Sequence, residues 1–129
     1  MERRNARRLA RRLSVVVLVG STACGAHDGP TPAAGAPSGR VVGPNGTQGA
    51  AVVEFDGVVD SIVVPGGRGF LETSGGRTRA ALVLDQPGTI RFTLPRATSP
   101  APNAAVLQVA DGANRLAAAA DAYRVEYDR

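Results

Sequence analysis

The sequence predicts an all-β fold, a single small β-sandwich of about seven short strands, for residues 49–129. Three observations lead to this prediction. Short apolar runs alternate with Gly, Pro, Asp and Asn, which is typical of strands joined by tight turns. Ile90, Phe92 and Leu94 alternate with polar residues, the pattern of a half-buried strand. No segment has a convincing helical period, and many short strands with Gly/Pro turns favour two packed sheets.

Strong turn signals separate the predicted strands. Residues 51–55 are followed by Asp56-Gly57, a hairpin signal, and we expect residues 58–64 to form the returning strand. Residues 115–122 are rich in alanine but too short for a stable helix, so they predict at most one or two turns. The remaining predicted strands are residues 69–72, 77–85, 89–94, 104–110 and 123–127.

Residues 24–48 have the composition of a flexible tether. From Gly25 to Gln48 six residues are glycine and four are proline, and Val41 and Val42 are the only sizeable apolar side chains. Such a segment buries too little apolar surface to offset the entropy of ordering it. We therefore expect the sandwich to begin at Gly49 and to be carried on this tether.

Residues 1–23 have the layout of an export signal peptide. Six arginines precede the apolar run at residues 13–19, and that run ends in small residues. The run falls short of the roughly 20 apolar residues that a membrane-spanning helix needs. A membrane helix and an arginine-rich arm for nucleic acid are the alternatives to this prediction.

The end of this segment, Ser21-Thr22-Ala23-Cys24, resembles the lipobox of bacterial lipoproteins. The resemblance implies cleavage between Ala23 and Cys24, and attachment of a diacylglyceryl group and further acylation at Cys24. Ser21 departs from the aliphatic residue that the family favours at its position. Gly25 after the cysteine implies the outer membrane rather than retention at the inner membrane. The alternative is cleavage at another small-residue site, which would leave Cys24 as an unpaired exported thiol.

The signal peptide also accounts for the positive charge of the chain. Residues 1–23 hold six of the fifteen basic residues and one of the eleven acidic residues. Nine basic and ten acidic residues remain after Ala23, so the mature chain would be nearly neutral. A nucleic-acid partner therefore loses its electrostatic support, and we expect none.

The later strands resemble the cohesin type of immunoglobulin-like sandwich. The resemblance is carried by Gly88-Thr-Ile-Arg-Phe92 and by the terminal Tyr123-Arg-Val-Glu-Tyr127. It implies a binding or adhesive domain, and no partner-recognition residues carry over.

The residue inventory argues against most catalytic and metal chemistry. After residue 48 the chain has no His, Cys, Lys, Trp or Met, and His27, the only histidine, lies in the predicted tether. Nucleophilic triads and zinc sites need such residues held in place, so we expect no catalytic residues, metal or cofactor. Asp56, Asp60 and Asp85 are candidate calcium ligands, but the sequence around them has no Asp-x-Asp-x-Asp-Gly loop. All five aromatic residues after residue 48 are expected to fill the core.

Two functions remain open from the sequence. The first is a lipid-anchored envelope protein that binds another envelope protein or a polymer such as a polysaccharide. The alternative is a small carboxylate-based enzyme or an accessory subunit of an envelope enzyme, for example one that acts on glycosides. Its candidate acids are Glu54, Asp56, Asp60, Glu72, Asp85, Asp111, Asp121, Glu126 and Asp128.

Overall fold

The computed structural model describes residues 35–129. The strands are β1 (Ser38–Val42), β2 (Gln48–Asp56), β3 (Gly67–Ser74), β4 (Arg77–Gly88), β5 (Arg91–Thr93), β6 (Ala104–Asp111) and β7 (Arg124–Tyr127), with one turn of 3-10 helix at Ala120–Ala122. Among these residues no helix has the length and apolar character needed to cross a bilayer. The predicted lipidation and cleavage residues, Cys24 and Ala23, lie outside the described range.

The seven strands form two antiparallel sheets. The three-stranded sheet has the order β5-β1-β7, and the four-stranded sheet has the order β3-β4-β2-β6. Their inner faces share one core of buried side chains, so the predicted all-β sandwich is confirmed. The short helical turn also agrees with the prediction for the alanine-rich segment.

One predicted strand is wrong. Residues 58–64 do not pair back on β2, because β4 and β6 already occupy both edges of β2. Gly57 turns the chain away with a φ of 108°, and the Thr78 hydroxyl fixes this turn by accepting from the Val59 N–H and donating to the Gly57 carbonyl. Only Val63 makes a ladder contact, an isolated bridge to Thr93 at the edge of the other sheet.

The predicted boundary at Gly49 is also corrected. Strand β1 lies at Ser38–Val42, inside the range assigned to the tether, and it is the central strand of the three-stranded sheet. Strand β2 begins at Gln48. The folded unit therefore includes the second half of the segment that the sequence assigned to a flexible tether.

Two glycines in that segment make room for aromatic rings. Gly39 lies opposite both Phe92 and Tyr127, and a methyl group added to it would lie 3.0 Å from Phe92 Cζ and 3.2 Å from Tyr127 Cδ1. A methyl group on Gly43 would overlap the buried ring of Tyr123. These glycines serve close packing rather than chain flexibility.

An aromatic contact chain joins the two sheets. Phe55 of β2 meets Phe92 of β5 edge to face, with ring centroids 5.6 Å apart, and Phe92 meets Tyr127 of β7 at 6.1 Å. Phe55 and Phe92 are fully buried, as the alternation around Phe92 predicts. Such edge-to-face pairs add to the stabilisation from burial alone.

A buried amide makes a second link between the sheets. Gln48, at the start of β2, donates through Nε2 to the Val41 carbonyl at 3.0 Å and accepts through Oε1 from the Ile90 N–H at 3.2 Å. Gln48 is only 3% exposed, so these bonds satisfy a polar group that would otherwise be costly to bury.

We predict that Gly43→Ala lowers the free energy of unfolding by about 1–3 kcal/mol, because the new methyl group must displace the Tyr123 ring. The matched control is Gly46→Ala, where an added methyl group has no atom within 4 Å and the expected change is within about 0.5 kcal/mol. Denaturant unfolding of both variants measures the difference. Equal stabilities would contradict the packed position of this segment.

Tyr127 is expected to make the fold sensitive to alkaline pH. Burial raises the pKa of Tyr127 from 10.0 to about 12, and its hydroxyl donates to the Pro102 carbonyl at 2.7 Å. The unfolded chain therefore loses this proton first, so the stability contribution is complete below pH 10 and is lost as the pH rises through 12.

Tyr127→Phe should lower the free energy of unfolding at neutral pH by about 1 kcal/mol, through loss of the hydrogen bond. The variant should also lack the part of the fall in unfolding free energy between pH 10 and pH 12 that ionisation of Tyr127 causes. Unfolding curves measured from pH 8 to pH 12 test both effects. Identical pH slopes for the two proteins would show that Tyr127 does not contribute.

Candidate binding face

The side chains of the four-stranded sheet that point away from the core form its outer face. Strand alternation requires this arrangement, because filling the core with every second residue directs the others outward. The register aligns the outward residues in cross-strand rows. The outer face divides into two regions of different chemistry, which we call the apolar half and the charged half.

The apolar half combines small central residues with larger exposed ones. In one row Val83, Ala50 and Ala110 are neighbours, with Arg68 at the β3 end, and Ala110 bridges to Leu116. The next row contains Phe70, Ala81, Val52 and Gln108. Phe70, Val83 and Leu116 are 59%, 41% and 69% exposed.

The three alanines leave a shallow depression of about 120 Å³ in this half. Val83 and Leu116 stand on its rim, and Val52 and Gln108 complete the lining. The depression is small and open, and it suits one or two apolar side chains of a partner better than a free small molecule.

The charged half contains a cluster of ion pairs. Glu54 on β2 accepts from Arg79 Nε at 2.8 Å and from Arg77 Nη1 at 3.1 Å, and Arg77 also lies 3.6 Å from Asp56. The hydrogen bond from Arg79 is the main reason that the pKa of Glu54 is lowered. Register places Arg79 between Glu54 and Glu72, so one guanidinium separates the two carboxylates.

This geometry stabilises the charged form of Glu54. Glu54 and Glu72 line the same open depression, of about 460 Å³, together with Arg77 and Arg79. A general acid must keep its proton near neutral pH, which requires a raised pKa, whereas the pKa of Glu54 is lowered. The cluster can instead form ion pairs and hydrogen bonds with a partner.

Two other predicted acids have structural roles. Asp111 accepts from the backbone N–H groups of Arg115 and Ala113, and these bonds lower its pKa and close the loop after β6. Glu126 lies on the three-stranded sheet, where hydrogen bonds from Arg124 and then Arg40 lower its pKa. Within residues 35–129 no three or more acids, histidines or cysteines gather as a metal-binding group would.

The expectation that all five aromatic residues fill the core is wrong for Phe70. Phe55, Phe92 and Tyr123 are buried and Tyr127 packs against the core, but Phe70 lies on an edge strand and points outward. The sequence does contain a signal for this position. Phe70 lies two residues from both Arg68 and Glu72, and residues two apart on a strand share a face. The apolar half could not be predicted from the sequence, because its rows combine residues of strands that are distant along the chain.

Comparison of the chain with models of known protein families, with curated proteins and with solved structures finds no match.

Proposed function

We propose that this protein is an exported, lipid-anchored envelope protein without catalytic activity. It presents the sandwich as a binding module for another envelope protein or a polymer, and the outer face is its binding surface. The observation that carries the binding role is the exposed apolar half beside the charged half.

Exposed apolar area of this kind favours a protein partner. Val83, Leu116 and Phe70 leave apolar side chains in water beside small residues that offer a complementary recess. Contiguous apolar patches with a polar rim are characteristic of protein interaction sites. A polysaccharide would more often need several aromatic platforms, and on the outer face only Phe70 provides one.

The state of the acids supports a non-catalytic role. Glu54, Asp111 and Glu126 all have lowered pKa values because arginines or backbone N–H groups stabilise their charged forms. An enzyme built on two carboxylates requires one of them to have a raised pKa, so that it keeps its proton and can act as the acid.

The proposed anchor is the acylated Cys24, and the residues before it would be removed on export. Residues 25–37 then separate the lipid from β1. A Gly/Pro-rich tether of this length would have a root-mean-square reach of roughly 20 Å. Anchoring and folding would therefore be independent, with the sandwich held near an outer-membrane surface but clear of the headgroups.

Cys24→Ser should release the protein from membranes or leave its signal peptide uncleaved, because a thioether cannot form on serine. The folded unit should stay intact in both cases. Two or three acyl chains give stable anchoring, so wild-type protein should remain with membranes after a high-salt wash. Membrane fractionation and mass spectrometry of the N-terminus measure this. A wild-type N-terminus other than Cys24, or one without lipid, contradicts the anchor.

The binding surface can be tested with a photo-crosslinking amino acid at position 83 in the native envelope. We expect an adduct with a different protein, and Leu116→Arg should reduce its yield about tenfold by placing a charge in the apolar half. The matched control is Val58→Arg, at an apolar residue that is 64% exposed in the loop after β2. Equal loss in both variants, or no loss in either, would reject the outer face as the binding surface.

A further inference from the structure

Among residues 35–129, no strand lies beside the outer edge of β3 in the four-stranded sheet, although that edge has backbone hydrogen-bonding groups. At the opposite edge, the Asp111 and Ala117 N–H groups bond to the Arg115 and Val109 carbonyls, so a returning segment covers part of β6. At the outer edge of β3, by contrast, only Gly67 bonds to another segment within residues 35–129. Its N–H donates to the Val64 carbonyl. An uncovered edge is a template for another strand.

The turn between β3 and β4 determines which groups face outward. Gly75 and Gly76 have φ values of 59° and 74°, which is characteristic of a two-residue hairpin turn flanked by a hydrogen-bonded pair, here Ser74 and Arg77. Because the direction alternates along a strand, the backbone N–H and C=O groups of the even-numbered residues of β3 point toward β4. The N–H and C=O groups of Gly69, Leu71 and Thr73 therefore point to the free edge, and the outward N–H of Gly67 agrees with this parity.

Strand β3 has charged side chains but few of the other devices that protect a sheet edge. It has no proline or lysine, and its pairing with β4 runs without a bulge from Gly67 to Ser74. Its outward side chains are Arg68, Phe70 and Glu72, all exposed. The ion pairs within residues 35–129 use other arginines and acids, so the charges of Arg68 and Glu72 are available to a partner.

We propose that a second copy of this chain pairs its β3 antiparallel with this edge, in a register centred on Phe70. Gly69 then exchanges backbone hydrogen bonds with the partner's Leu71, and Leu71 does so with the partner's Gly69. Arg68 faces the partner's Glu72, Glu72 faces the partner's Arg68, and Phe70 faces the partner's Phe70. This proposal does not depend on the lipid anchor or on the partner of the outer face.

The side chains select this register among the neighbouring ones. Only odd-numbered residues carry outward bonding groups, so the alternative registers are shifted by two residues. One shift places Glu72 opposite the partner's Phe70, the other places Arg68 opposite the partner's Phe70, and both lose the two charge pairs. In the centred register all three side-chain pairs are non-hydrogen-bonded pairs, where cross-strand side chains approach most closely.

The pairing closes on itself. Because the same edge of both copies is used, the interface is isologous and the assembly stops at two. The two four-stranded sheets become one continuous sheet, and the exposed Phe70 rings cover each other. The row Phe70, Ala81 and Val52 then continues across the two-fold axis into the same row of the second copy, which doubles the length of the apolar half.

Charge reversal tests the register. Arg68→Glu and Glu72→Arg should each raise the self-dissociation constant of the full chain in detergent about tenfold, because each places like charges opposite each other twice. A mixture of the two variants should dimerise with close to wild-type affinity, because both pairs in the mixed dimer are opposite in sign. Sedimentation equilibrium measures all three constants, and unfolding at low concentration checks that each variant folds.

A cysteine crosslink provides a second measurement. Phe70→Cys places the two new thiols in a non-hydrogen-bonded pair, where a Cα separation of about 4.5 Å permits a disulfide. The substitution is made in a Cys24→Ser chain, so that the native cysteine cannot crosslink. Oxidation should yield a covalent dimer, whereas Val58→Cys in the same Cys24→Ser chain, and the Cys24→Ser chain itself, should not. A chain that stays monomeric, a dimer unaffected by either reversal, or an edge that pairs only with a different protein would overturn the proposal.

Discussion

The close approach of β1 to the aromatic rings is the constraint on which the rest of the sandwich depends. Gly39 is the one position in the three-stranded sheet with an aromatic residue on each side, and the absence of a side chain lets Phe92 and Tyr127 meet above it. Phe92 then reaches Phe55 in the opposite sheet. These rings and the Gln48 amide are specific contacts that join the two sheets.

The inner packing also determines the outer face. Val53 and Phe55 point into the core, so Val52 and Glu54 on the same strand must point outward. A bulge in β6 at Leu107 keeps Val106 and Val109 in the core although they are three residues apart. A register slip of one residue would exchange the two faces, and the buried aromatic chain makes such a slip prohibitively costly. The packing of the core therefore determines which side chains of these strands face outward.

The electrostatics of the sandwich hold several of its carboxylates in their charged forms. Glu54, Asp111 and Glu126 are paired with arginines, whose planar donors favour the charged form of a carboxylate. Arg79 lies between Glu54 and Glu72, and Arg40 and Arg124 share Glu126 in the other sheet. Surface pairs of this kind add little to stability, but they set the charge pattern that a partner meets.

The sequence by itself determined the fold class and most of the strands, because apolar alternation and turn residues act locally. It correctly located the strands that include Phe55, Leu82, Phe92, Val109 and Val125, and it placed Phe92 in the core. It misassigned residues 58–64, because only the strand order shows that β2 has no free edge. The binding face was not predicted, because its rows combine residues from four strands that are distant along the chain. Gly39 and Gly43 show the physical reason most clearly: glycine in a tether and glycine beneath an aromatic ring are identical in the sequence, and only the tertiary position of Phe92, Tyr123 and Tyr127 distinguishes them.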